Sequence, residues 1–251
     1  MESTIRDYSA FDRLKLERKP VGVKFLPSKP EGINRIETKL ALCEMFWEAQ
    51  QSEPFYVQKE DFLCVEPIIL GMEDPEPVLV SGYVGGSAGL FKEARANRKL
   101  YQYAPKLLKG SVNYVAFAAV DRLTFDPDVL IVTANVNQAR TILRAEGYST
   151  GDKWSSHGTP VLACSWLYIY PVVSGKMNFT ITGLSLGMEA INAPIPEGLF
   201  VISIPWNILP TVIENLQDEK MYLSWRSSGR EEHFKRFEDR LSQLREEIAN
   251  L

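Results

Sequence analysis

Two short runs most constrain how this chain folds. Val112–Val120 and Val129–Thr133 are β-branched, aromatic and almost wholly apolar. A strand with one wet face alternates apolar with polar residues. These runs do not, so they predict strands buried inside a sheet. Asn135–Gly147 follows the second run as a helix and makes a strand–loop–helix unit. Further strands are expected at Val21–Leu26, Phe55–Val57, Val78–Val80, Val161–Tyr170, Asn178–Leu184 and Leu199–Ile204. Further helices are expected at Ile5–Leu16, Thr38–Gln50, a basic segment ending near Tyr101, Trp206–Leu216 and Arg230–Asn250. Glu60–Leu70 fits neither period clearly. Strands and helices interleave from end to end, with no repeat or linker. The reading is α/β or α+β: a single domain over residues 1–228 with a mixed central sheet and flanking helices. Residues 229–251 add a C-terminal amphipathic helix.

Composition narrows the partners. The net charge is −4, so global electrostatics do not favour nucleic acid or an anionic membrane. No stretch approaches the roughly 18 apolar residues of a membrane span, and the charged start lacks the core of a signal peptide. With only three cysteines, this predicts a reducing, cytoplasmic setting.

Those cysteines carry the sharpest chemical expectation. Cys43, Cys64 and Cys164 lie in separate segments, and no pair has the Cys-x-x-Cys spacing of a zinc ribbon or ferredoxin. If folding brings them together, three thiolates with one open position suit a 4Fe–4S cluster or another soft metal. A fourth ligand from His157 would instead favour structural zinc. If they stay apart, they are buried thiols that behave as small hydrophobes.

Several phrases, taken in order, point to a family. They are RKPVGVKFLP, the Cys43 helix, FLCVEPIILGM, DPDVLIVTANVNQA, the Cys164 run, and GLSLGM followed by IPEGLFVISIPWNILPTVIENL. Together they resemble the family called domain of unknown function 169, found in archaea and in anaerobic or metabolically diverse bacteria. The resemblance covers roughly residues 15–220. It implies cysteines in these same three contexts. It supplies no activity and no catalytic residue.

A second expectation concerns an anionic small ligand. Gly82, Gly85, Gly86 and Gly89 follow the Val78–Val80 run and open a helix, where backbone amides can cradle a phosphate or carboxylate. Lys92, Arg95, Arg98, Lys99, Lys106 and Lys109 then face one acid, Glu93. The pattern is neither a Walker motif nor Gly-x-Gly-x-x-Gly, and a solvated helix face explains it equally. Asn135 and Asn137 sit at the carboxyl end of a strand, where α/β sheets present ligand-binding groups, and Asn135 also fits a helix cap. Asp126 and Asp128 flank Pro127 as turn formers. Gly183–Gly187 matches Gly-x-Ser-x-Gly, but turn signals rather than a helix follow Ser185, which argues against a hydrolase elbow.

The last helix carries apolar residues at Phe234, Phe237, Leu241, Leu244 and Ile248, an a/d seam. It reads as a surface helix on its own domain, or as the contact of a homo-oligomer. The functional reading is therefore a cytoplasmic protein that binds a cluster or metal through three cysteines and an anion through the glycine-rich basic segment. The alternative is a non-catalytic ligand-binding or regulatory module with inert thiols.

Overall fold

A computed structural model describes residues 7–184, 195–223 and 230–249. Its centre is a seven-stranded sheet in the order β2-β3-β4-β1-β5-β7-β6. The strands are β1 (Val21–Leu26), β2 (Asn34–Arg35), β3 (Phe55–Gln58), β4 (Tyr114–Ala119), β5 (Val129–Ala134), β6 (Asn178–Ile181) and β7 (Phe200–Pro205). Only β2 and β3 run parallel; every other neighbouring pair is antiparallel. The sheet is mixed, as the sequence predicts, and the two constraining runs form β4 and β5 inside it.

Helices cover both faces. They are α1 (Leu42–Ala49), α2 (Glu66–Ile69), α3 (Pro77–Val80), α4 (Tyr83–Ser87), α5 (Ala94–Tyr103) and α6 (Val136–Thr150). After these come α7 (Tyr170–Ser174), α8 (Leu209–Gln217), α9 (Glu219–Leu223) and α10 (Arg230–Ala249). A π-helical turn, Ser165–Ile169, leads into α7. Period-two alternation divides each strand between two cores. Val129 and Ile131 join Val21, Val23, Val115, Phe117 and Val201 beneath α1 and the π turn. Leu130, Val132, Ile202 and Ile204 pack against Ala139 and Ile142 of α6 and Val212 and Leu216 of α8. At about 1.5–3 kcal/mol for each large apolar side chain removed from water, these layers dominate the stability. Gly22 in β1 has a packing reason: a Cβ there would lie 2.7 Å from Leu123 Cδ1.

Some sequence expectations are corrected. Val78–Val80 is helical: Pro77 opens α3, a position where proline costs nothing, and the Leu79 and Val80 amides donate to Glu76 O. Val161–Tyr170 is not a strand. From Ala163 onward it is largely buried helix, and a short apolar run reads alike in either form. Thr38 does not cap the Cys43 helix; α1 begins at Leu42, where carboxylates take the cap's role. Among the described residues of the expected Ile5–Leu16 helix, a 3-10 turn forms over Ser9–Leu14. Ser185 of the Gly-x-Ser-x-Gly match lies outside the described residues.

Candidate functional site

Three distant segments meet at the amino end of α1. Cys43 is the second residue of that helix, Cys64 precedes α2, and Cys164 precedes the π turn. The Cys164 thiol hydrogen-bonds with Cys43; that bond, ahead of burial, raises its pKa well above the ordinary thiol value. Cys64 also lies within electrostatic reach of both. Cys43 and Cys164 are buried, whereas Cys64 is on an exposed turn. Partial shielding of the Cys64 thiol, helped by the Glu66 carboxylate, lifts its pKa to about 11.

Glu66 organises the cluster. One carboxylate oxygen accepts the Leu42 amide at 3.0 Å, and the other accepts the Cys64 amide at 3.1 Å. It thereby serves as an N-terminal cap for α1 supplied from another segment, alongside Glu44, which accepts the Ala41 amide at 2.8 Å. Glu66 is 2% exposed, so desolvation raises its pKa despite those bonds. Tyr168 closes the other side: its buried hydroxyl donates to the Leu42 carbonyl at 2.8 Å. Tyr101 of α5 also feels the Cys64 thiol, so the basic segment borders the site.

The backbone that delivers Cys164 is unusual. Leu162 adopts φ 62°, a left-handed conformation costly for a residue with a Cβ. The π turn follows at once, and such turns concentrate at functional sites. Pro171 suits it, because proline lacks the amide that a regular helix would use there.

The charges acting most strongly on Cys64, Cys164 and Glu66 are one another, Cys43 and Glu44, all acidic groups. Among the described residues, however, no three His, Cys, Asp or Glu side chains are arranged to hold a metal ion. The His157 ring stacks on Trp166, centroids 6.0 Å apart, and lies tilted against Tyr170 at 4.6 Å.

The other sequence-predicted residues have local structural tasks. A Cβ on Gly82 would lie 2.0 Å from Ala94 O, and one on Gly85 would lie 2.2 Å from Asn97 Nδ2. These glycines let α4 approach α5 closely, and Gly86 also lies against Ala94. The Asn97 side chain donates to Gly82 O at 3.2 Å, and Arg98 Nε donates to Ser81 O at 2.9 Å. The five-residue α4 is thus packed closely on α5 through these glycines. Arg95 is exposed on α5. Asn135 caps α6, accepting the Asn137 and Gln138 amides at 3.0 Å each, and Asn137 is exposed beside it. A cavity of about 490 Å³ between the 3-10 turn and the β4–β5 connection is lined by Lys15, Arg18, Lys19 and Asp121, among others, and by no cysteine.

The family profile of the uncharacterised ArCR proteins, domain of unknown function 169, matches residues 12–215. The chain belongs to this family. The match spans the sheet and all three cysteines, and α10 lies beyond it. Neither a curated protein nor a solved structure matches the chain. Sequence reasoning overlooked Glu66, Tyr168 and Leu162. Glu66 left a signal, a lone carboxylate inside the apolar phrase FLCVEPIILG.

Proposed function

We propose that this ArCR-family protein binds a thiophilic metal centre, first among candidates a 4Fe–4S cluster, through Cys43, Cys64 and Cys164. The carrying observation is that cysteines 21 and 100 residues apart in the chain act on one another in the fold. The donor set fits a soft cation: thiols are its preferred ligands, and the strongest electrostatic neighbours of these thiols are acidic groups. Two thiols come from helical starts in the core, and the third sits on a turn that must draw inward to complete a three-sulfur set. Bound there, the centre would supply electron transfer or an open position for a small sulfur ligand. The protein's own contribution is to orient the sulfurs: Glu66 fixes the Cys64 and Leu42 amides, and Tyr168 fixes the Leu42 carbonyl. An anionic ligand at the basic segment would rest on side chains such as Arg95, because the glycines are taken up in packing. Free thiols in contact support a reducing, cytoplasmic location.

Anaerobic purification tests the reading. The expected result is a brown protein absorbing near about 400 nm, with bound iron and acid-labile sulfide lost on Cys43→Ser or Cys164→Ser. Less than one equivalent of any transition metal in anaerobically purified protein overturns it.

A second reading, a ligand-binding or regulatory module with inert thiols, is favoured by one observation: Cys64 and Cys164 both hold their protons far above neutral pH. Unchanged stability and colour in a Cys43→Ser/Cys64→Ser/Cys164→Ser variant would select it.

A further inference from the structure

We propose that α10 is a self-association helix that pairs antiparallel with α10 of a second copy, about a two-fold axis between Ser242 and Gln243. The seam is exposed: Phe237 is 62%, Leu241 37% and Ile248 67% accessible, and Leu244 is half-buried. Phe237, Leu241 and Ile248 thus face outward along one stripe of a 20-residue helix, with half-buried Leu244 in the same stripe. The helix also lies beyond the family match, which ends at residue 215.

Charge identifies the occupant. The seam is flanked by Glu238 and Arg245 on one side and by Arg240 and Glu247 on the other. In an antiparallel pair centred between Ser242 and Gln243, Phe237 meets Ile248 of the second copy and Leu241 meets its Leu244. The two-fold axis repeats both layers. Glu238 then faces Arg245 of the second copy, and Arg240 faces its Glu247, so every flanking pair is of opposite sign. The 3.2 Å Arg240–Glu247 ion pair within one helix already holds those two side chains along the same flank. A parallel pair in register would instead set Arg240 beside Arg245 of the second copy, twice. The helix is complementary to itself in one orientation only.

Sedimentation velocity on the full chain over a concentration series tests this. The expected mass rises from 28.4 kDa toward twice that value. Leu241→Glu keeps the protein monomeric throughout, with the helical circular dichroism of dilute wild type. Arg245→Glu places two acids together in the antiparallel register and weakens the dimer about tenfold or more. Adding Glu238→Arg to that variant restores it. A monomer at every concentration, or a dimer unaffected by Leu241→Glu, overturns the proposal. Arg245→Glu tightening the dimer also overturns it, since that change relieves the parallel pairing.

Discussion

At the scale of single residues, the cluster's chemistry follows from who is shielded from water. Cys64 alone among the cysteines is exposed, so a soluble alkylating reagent should modify one thiol in the native protein and three after denaturation. The thiolate is the reacting form, and the Cys64 pKa stands at about 11. The labelling rate should therefore climb about tenfold per pH unit up to that value, read by mass spectrometry after timed quenching. A rate that levels off near pH 8 would mean that Cys64 is less shielded than its surroundings indicate. Glu66 makes a prediction of opposite kind. Burial lifts its pKa above the ordinary 4.5, so the native state keeps a proton that the unfolded chain has released. The stability this carboxyl contributes is full below about 4.5 and declines as pH rises through its folded value. Glu66→Gln should flatten that part of the profile in urea denaturation, while costing about 1–3 kcal/mol near pH 5 because one amide loses its acceptor. The residue types of the site were legible in the sequence: three thiols in apolar contexts stand out. Their meeting was not, because it depends on three segments crossing one end of α1. Glu66 was passed over because a carboxylate is ordinarily a surface residue, and only the fold shows it capping a helix from another segment.

At the scale of elements, the physical split lies between strands whose pattern is self-sufficient and segments whose form is set by neighbours. Val21–Leu26 forms β1 as expected from residues alone, and the runs behind β4, β5 and β7 fall within a residue or two of their observed ends. Those runs alternate or are β-branched and end at turn residues. Val161–Tyr170 carries the same apolar content but becomes helix from Ala163 onward. Its Ser165 hydroxyl donates to Pro105 O and its Tyr168 to Leu42 O, contacts far away in the chain that no local pattern announces. The glycine-rich stretch has a packing reason that the sequence did not announce. Glycine signals a backbone that something approaches closely, and here α5 makes that approach. Asn135 gives a clean test of cap against ligand. Asn135→Ala should destabilise the protein by about 0.5–2 kcal/mol, whereas Asn135→Asp, which keeps the accepting oxygen, should be nearly neutral. Thermal unfolding of both variants reads the difference. Equal losses in the two would show that the amide nitrogen, and not the cap, is what matters at this position.

At the scale of the whole molecule, the sheet and α10 are separate matters. The sheet buries its apolar residues on both faces, so its stability owes nothing to a helix whose described side chains are exposed apart from half-buried Leu244. Deleting residues 224–251 should therefore leave the thermal midpoint of the remaining chain almost unchanged. A loss of even 1 kcal/mol would shift a protein of this size by about 2–4 °C, which calorimetry resolves. Self-association of α10 would bury apolar side chains of both copies against the entropy of joining two molecules, so it depends on concentration. An isolated helix of about 20 residues is only partly formed in water without a partner. Helical circular dichroism per residue should then rise with the concentration of the full chain and stay constant for the truncated one. A midpoint that drops by several degrees on truncation would place α10 against its own core instead, and the concentration dependence of helicity would vanish with it.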